Sequence, residues 1–444
     1  MRMGVSVLFA LRLMGIGSRL SLSNARKSLI GAVAGIGISL VPLIAVLVVA
    51  DGMIEGISGR IIELSSGHLR VADYSGLSDA SGDAGALESL RAELPRYSAS
   101  IADAAAERQG LGIAIGPKGR SGSTIRAVSD AFFTRSLGSD GFLRVVAGTG
   151  GAPEQGEAVI GEKLAETVGL APGDRIRLLT IHRSPSGKET PKFASRTVRS
   201  VVSSGYQELD ALWVFVPFAS DSSILDPDTA HSFISVYTDD PYGDLSGVRD
   251  ELLGSLPDGF DCYTWKELNR SQLQSFNTTR ILLLFIMFLI LCIASVNVSS
   301  ALVMTVMERR KEIAILKSIG AHPSDIAFAF VLAGFFTGLG GVVAGLPLGI
   351  LCALNINEIF SFLEQVLNGI SGFAYALGSS SSSAPPAAVK LLDPAYYIQG
   401  IPVRLDAAEL YLVAAGTLLL SSLVSIFPAL RAGSEKPLDT LRKV

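Results

Sequence analysis

Residues Met307 to Asp325 read MERRKEIAILKSIGAHPSD, and six of the ten residues from Glu308 to Lys317 are charged. On the left lies ILLLFIMFLILCIASVNVSSALVMTVM, on the right IAFAFVLAGFFTGLGGVVAGLPLGILCAL. Each apolar run exceeds the roughly 20 helical residues that cross a ~30 Å hydrocarbon core. A charge island held between two such runs has to sit in water. Its side of the membrane, and what it meets there, decide how the rest of the chain is read.

Working outward, two more runs of spanning length appear. The four predicted spans are Leu29–Ala50, Ile281–Met307, Ile326–Leu354 and Leu410–Leu430. The first is longer than a signal h-region and is followed by Asp51-Gly-Met-Ile instead of a small-residue cleavage site, so it reads as an uncleaved helix. Composition agrees. Of 444 residues 49% are hydrophobic, mean hydropathy is +0.44, and the apolar excess is concentrated in the spans. The net charge of −4 argues against a nucleic-acid partner. Cys262, Cys292 and Cys352 are far apart, two of them within spans, so no disulfide framework is expected. No Cys closely follows the first span, so the protein does not read as a lipoprotein itself.

Lys and Arg in the flanks set orientation. Arg2, Arg12, Arg19, Arg26 and Lys27 precede the first span without an acidic residue. The island carries Arg309, Arg310, Lys311 and Lys317, and the tail Arg431, Lys436, Arg442 and Lys443. The segment from Met53 to Thr279 instead holds 21 basic and 30 acidic residues. Both termini and the island are therefore expected in the cytoplasm (N-in/C-in), and the long segment outside. The expected organisation is residues 1–28, a cytoplasmic interfacial helix; 29–52, span one; 53–279, an outer domain; 280–307, span two; 308–325, a cytoplasmic helix; 326–354, span three; 355–409, a second outer segment; 410–430, span four; and 431–444, a cytoplasmic tail. The fold class is a four-span α-helical membrane protein with a large mixed α+β outer domain.

Within that domain GMIEGISGRIIEL carries the first span outward as an amphipathic helix, and HLRVADY reads as a strand. SDASGDAG reads as a loop. EAVIGEKLAETVGLAPGDRIRLLT gives strand, short helix closed by Gly169, turn and strand. LWVFVPF and SFISVYT are further strands, and WKELNRSQLQSF is an amphipathic helix leading into span two. IHRSPSGKETPKFA reads as an exposed loop or the tip of a long hairpin. It is either a plain surface loop or a protruding hook for a partner. In the second outer segment GSSSSSAPPAAVK has the composition of a flexible linker, and Tyr396, Tyr397 and Ile401 are expected near the membrane surface.

Chemistry-bearing motifs do not point to an enzyme. GPKGRS at Gly116 lacks Walker A spacing, and none of the four histidines sits in HExxH. There is no GxSxG elbow, and GTGGAPEQG at Gly148 lacks the strand and helix of a dinucleotide site. No charge lies inside the apolar spans, which argues against an ion relay. Energy for any active transport must come from another subunit.

The island itself reads as a helix from Glu308 to Ile319. Glu308 and Glu312 can pair with basic residues three or four positions on. Ile313, Leu316 and Ile319 form an apolar stripe, widened by Ala314 and Ile315, and Gly320 and Pro323 end it. An apolar stripe on a cytosolic helix needs lipid headgroups or a partner to cover it.

MERRKEIAILKSIGA resembles the coupling segment of the ABC-transporter permeases that include the lipoprotein-releasing permeases, the MacB-type exporters and the FtsX-type proteins. FPALRAGSEKPLDTLR resembles that family's C-terminal stretch. FALRL, DGMIEGISGRIIELSSGHLRV, GEKLAETVGLAPGDRIRLLT, SGYQELDALWVFVPF and YYIQGIPVRL resemble its lipoprotein-releasing, LolC/LolE-like branch. The serine-rich GSSSSSAPPAAVK departs from the pattern.

The resemblance implies a permease that pairs with a second permease, the same or homologous, and with two ATPase subunits that carry ATP and Mg. No cofactor is expected on this chain. Glu308, Arg309, Arg310, Lys311, Glu312, Ile313, Leu316 and Gly320 would couple to the ATPase. Ile181, His182, Arg183, Pro185, Lys188, Pro191 and Phe193 would form a hook that engages a periplasmic lipoprotein carrier. Ile38, Val41, Pro42, Ile281 and Phe285 would line a cavity for the acyl chains of a triacylated lipoprotein among membrane lipid. The small residues of GAVAGIGISLV fit close helix packing there, or ordinary span packing. The setting would be the bacterial inner membrane. Two other readings keep the same four spans: a MacB-type efflux permease, or an FtsX-type scaffold signalling to a cell-wall hydrolase.

Overall fold

The computed structural model describes residues 24–74, 84–138, 141–183, 188–218, 224–225, 230–378 and 403–434. Residues 1–28 are therefore described only from Asn24, and the serine-rich stretch, Tyr396, Tyr397 and Ile401 lie outside the described residues. The chain divides into two compact units, with breaks after Gly52 and Ser275.

Helix α1, Asn24–Ile61, holds the first apolar run and continues through GMIEGISGRI without a stop. A π-helical turn, Ile62–Ser66, ends it at Gly67. Gly67 has φ +66°, and a Cβ there would stand 3.0 Å from the Leu69 carbonyl and the Ser235 side chain. Only glycine fits that corner without strain.

The next unit is a sheet domain. In chain order its elements are β1 Leu69–Asp73, α2 Ala84–Glu93, β2 Ile101–Ile115, β3 Arg120–Val128, α3 Asp130–Ser136, β4 Arg144–Gly148, β5 Glu157–Gly161, α4 Glu162–Val168, β6 Arg175–Arg183 and β7 Glu189–Ser203. Then come α5 Gln207–Asp210, β8 Trp213–Pro217, β9 His231–Thr238, α6 Ser246–Ser255, β10 Phe260–Thr264 and α7 Trp265–Leu268. Among the described residues ten strands form one mixed sheet in the order β10-β1-β9-β2-β3-β8-β5-β7-β4, with β6 pairing β2 and β7. The β3–β8 and β5–β7 pairs are parallel and the others antiparallel.

Both faces of this sheet are covered. Ala104, Ala106, Ile125, Ala127, Val214 and Val216 belong to one core cluster. Their neighbours Ala105, Val128, Trp213 and Phe215 belong to another. Alternate residues of a strand point to opposite faces, so two cores are built from one set of strands. That is why β8, WVFVP, reads as a continuous apolar run. Between β2 and β3 lies a buried ion pair. Arg126 Nε and one terminal nitrogen donate to the two Glu107 carboxylate oxygens at 2.6 and 2.7 Å. The guanidinium also lies 4.6 Å from the Trp213 ring centre and 5.0 Å from that of Phe132. A cation this deep needs such a carboxylate and aromatic faces around it.

The helical unit adds α8 Arg270–Glu308, α9 Arg310–Ser318, α10 Pro323–Leu354, α11 Ile356–Gly378 and α12 Ala407–Ser434. Among the described residues four helices, α1, α8, α10 and α12, are long and apolar enough to cross a membrane. The expected helix WKELNRSQLQSF is interrupted at Asn269: α7 stops there and α8 begins at Arg270. Helix α10 carries glycines toward two neighbours. A Cβ on Gly345 would lie 2.7 Å from the Gly37 carbonyl oxygen, and one on Gly341 2.5 Å from the Ile36 side chain. Toward α12, Gly338 and Gly334 meet Ser421 and Ser425. Small residues let helix backbones approach this closely. The small-residue stripe of GAVAGIGISLV is thus used at Gly37 for packing inside the chain.

Candidate functional site

The charge island folds as a helix set off from its neighbours at both ends. Helix α8 runs through Glu308, so that residue ends the long helix and does not begin the short one. Arg309 breaks the run with φ −92° and ψ 12°. After α9, Gly320 adopts φ +101°, a conformation glycine takes without penalty. His322 then caps α10, its Nδ1 accepting the Ser324 N–H at 3.3 Å, with Pro323 as first helical residue.

Two anchors fix α9 against the helical unit. Ile313 is 0% exposed and shares a core with Leu302, Val306, Ile326, Phe330 and Ala429. Lys317 Nζ donates to the Gly433 carbonyl near the end of α12. Arg309 pairs back onto Glu312, donating to both carboxylate oxygens at 2.8 and 2.9 Å. The partner of Glu312 is thus three residues before it, not after it.

The other side of α9 is open. Lys311, Glu312, Ile315 and Ile319 are exposed, the two isoleucines at 49% and 78%. Arg310, Glu308 and Gly320 are exposed as well, and Leu316 is half-buried. The apolar stripe expected at Ile313, Leu316 and Ile319 is therefore divided. Ile313 seats the helix, whereas Ile315 and Ile319, one turn apart, offer apolar surface between charges. Ile313 has no surface left for a partner. Spacing showed that apolar residues were clustered, but not which side of the cluster the protein itself would cover.

The proposed hook lies on a hairpin. Strands β6 and β7 pair from Arg175–Thr197 out to Arg183–Glu189, so Ile181, His182, Pro191 and Phe193 are in strand arms and not in a loop. Beyond Leu179, β6 has no partner other than β7 among the described residues. The arm is rooted at Thr180, whose hydroxyl donates to the Ile224 carbonyl at 2.9 Å. Paired residues share a face. Leu179, Ile181, Pro191 and Phe193 therefore form an apolar side, and His182, Thr190 and Lys192 a polar one. Ile181 and Phe193 are 54% and 57% exposed, and the Arg177 guanidinium lies 5.6 Å from the Phe193 ring centre. Lys188 is exposed at the root of the turn; Pro185 and the Arg183 side chain lie outside the described residues.

Ile38, Pro42, Ile281 and Phe285 are exposed on the surface of α1 and α8, and Val41 is half-buried. They make an outward apolar surface on the helical unit. Nearby is a charge cluster that the sequence did not reveal. Arg280 Nε lies 3.3 Å from Asp51, and its other end meets Glu409. This links α1, α8 and α12. Each residue stands at a span boundary and reads there as an ordinary flanking charge. Only the fold brings together positions 229 and 129 residues apart (Arg280 less Asp51; Glu409 less Arg280).

Comparison with known proteins fits this architecture. Residues 29–251 match the MacB-like periplasmic core domain, half of the chain, and residues 284–437 match the FtsX-like permease C-terminal region. The lipoprotein-releasing system transmembrane protein LolC of Neisseria meningitidis is 25% identical over 310 residues, covering 65% of this chain and 66% of that protein. The transmembrane protein LolE of the same system in Haemophilus influenzae is 25% identical over 294 residues, covering 65% of each. The matched stretch thus spans just under two thirds of these relatives' length. The periplasmic region of MacB from Actinobacillus actinomycetemcomitans superposes with a TM-score of 0.31 at 13% identity, covering 48% of this chain and 94% of that one. The chain belongs to the MacB-like periplasmic core domain family, and its C-terminal part is similar to the FtsX-like permeases.

Proposed function

We propose that this chain is the membrane subunit of an ABC transporter that extracts lipoproteins from the outer leaflet of the bacterial inner membrane and passes them to a periplasmic carrier. ATP hydrolysis takes place on two separate ATPase subunits, which hold the nucleotide and Mg. A second permease, the same or homologous, completes the assembly. The N- and C-termini and α9 face the cytoplasm; the sheet domain is periplasmic.

The observation that carries this reading is the two-sided α9. Its inner side is fixed by Ile313 and Lys317. Its outer side offers Lys311, Glu312, Ile315 and Ile319 to a partner. A helix wedged between two spans and seated in their core moves with them. A push on its open face is therefore delivered to α8, α10 and α12. The amphipathic hairpin arm, with Ile181 and Phe193 exposed on one side, is suited to an apolar recess in the carrier. The outward apolar surface at Ile38, Pro42, Ile281 and Phe285 is where acyl chains would be held against a second permease.

Single cysteines at Ile315 and Ile319 should cross-link to the co-expressed ATPase in membranes, whereas one at Ser300 on α8 should not. Absence of any ATPase adduct at both α9 positions would remove the basis of the proposal.

A further inference from the structure

Helix α11, Ile356–Gly378, has no role in the account above. It follows α10 with only Asn355 between them. Asn355 adopts φ −100° and ψ 20°, and its side-chain amide donates to the Leu351 carbonyl at 2.8 Å. The helical run is thus interrupted at this one residue without unwinding into a loop.

At 100° per residue, the sequence INEIFSFLEQVLNGI segregates cleanly. Ile359, Phe360, Phe362, Leu363, Val366, Leu367 and Ile370 fall on one side. Asn357, Glu358, Ser361, Glu364, Gln365 and Asn368 fall on the other. Phe362, Leu363, Val366, Leu367 and Ile370 are all exposed. An amphipathic helix with its apolar side uncovered needs an apolar occupant.

Two observations identify the occupant. First, α10 has 32 residues, about 48 Å at 1.5 Å per residue, against a bilayer of roughly 40–45 Å with its headgroups. Its end at Leu354 therefore reaches the membrane–water boundary opposite α9. Second, the helix that leads into α11 is itself apolar and open up to its end: Val343, Leu348, Leu351 and Leu354 are exposed, and α11 follows with only Asn355 between. We infer that α11 lies in the interface of this leaflet, its apolar side sunk among the acyl chains and its polar side toward the headgroups. The leaflet is the outer one on the orientation proposed above; the inference does not depend on the cargo.

The charge pattern narrows the lipid. Between Ile356 and Gly378 there is no Lys, Arg or His, and Glu358 and Glu364 are the only charged residues. Cationic interfacial helices draw on anionic lipid; this one cannot. Its seating rests on apolar burial and should be as deep in a zwitterionic bilayer as in one containing anionic lipid.

The test is nitroxide accessibility along the helix. The full chain, with Cys262, Cys292 and Cys352 changed to serine, is labelled at single cysteines introduced at Leu363, Val366 and Ile370, and at Ser361 and Gln365. It is reconstituted in phosphatidylcholine nanodiscs, with and without phosphatidylglycerol, and Val343→Cys, eleven residues in from the end of α10 and exposed, serves as a bilayer reference. The expected result is severalfold higher oxygen than nickel-chelate accessibility at 363, 366 and 370, the reverse at 361 and 365, and no effect of phosphatidylglycerol. Three results would overturn the inference. Nickel access at every position places the helix in water. Exclusion of both reagents at 363, 366 and 370 means that protein covers the face, either residues 379–402 or a second copy. Deeper seating only with phosphatidylglycerol would contradict the charge argument.

Discussion

The division of α9 into a seated side and an open side yields a prediction with opposite outcomes at neighbouring residues. Ile313→Ala removes three carbon atoms from a side chain with no exposed surface. At about 0.8 kcal/mol per buried methylene, the lost transfer energy alone is roughly 2.4 kcal/mol. Incomplete collapse of the cavity extends the range to about 2–5 kcal/mol. A change near 2 kcal/mol corresponds to a fall in melting temperature of roughly 4–8 °C for a unit of this size. Ile315→Asp lies two residues on, at an exposed position, and should alter stability by no more than about 0.5 kcal/mol. Both variants can be followed by fluorescence-detected melting of the solubilised full chain and by co-purification with the ATPase. Ile313→Ala should melt several degrees early. Ile315→Asp should melt with the parent but lose the ATPase. Equal melting of the two variants, or ATPase retained by Ile315→Asp, would refute the assignment of sides.

Three further outcomes follow from the packing. Glu107→Gln leaves the Arg126 charge unpaired in the core, which should cost about 3–5 kcal/mol and disturb the emission of Trp213, 4.6 Å from that guanidinium. An unchanged unfolding midpoint would show that the pair is not required. Gly345→Ala drives a Cβ against the Gly37 backbone and should cost about 1–3 kcal/mol by overpacking, whereas Gly416→Ala, which meets nothing within 4 Å, should be neutral in the same melting assay. Burial pushes the Cys262 thiol up to about 12. The raised value keeps the reactive thiolate scarce at every pH below it, so maleimide labelling of Cys262 should stay slow from pH 7 to 9 in the native protein. Rapid labelling in that range would mean that the β10 region opens.

Much of the architecture was legible because its causes are local. Spans follow from run length, and Gly169 closes α4 in a left-handed conformation as its position suggested. Strands such as Trp213–Pro217 and His231–Thr238 announce themselves by apolar, β-branched runs. Strand β2 does not. IADAAAERQGLGIAI is rich in alanine and charge, which favours helix in isolation, yet it is a central strand. Its alanines are small enough for both faces to be covered, and Glu107 is satisfied by Arg126 on the next strand. Helix α11 could have been found from the 3–4 spacing of Ile359, Leu363, Val366 and Ile370. The inward use of Ile313 and the Arg280 cluster depend on which helices lie side by side, and no local pattern encodes that.

The central claim is tested most directly by release from proteoliposomes containing this chain, its ATPase and any co-purifying second permease, with a triacylated lipoprotein in the outward-facing leaflet. Addition of ATP with a soluble carrier should move the lipoprotein into the soluble fraction, and removal of residues 184–191 from the hairpin tip should stop that transfer while ATP hydrolysis continues. Vigorous ATP hydrolysis with the lipoprotein still in the membrane would contradict lipoprotein release and point to export of another substrate or to signalling across the membrane.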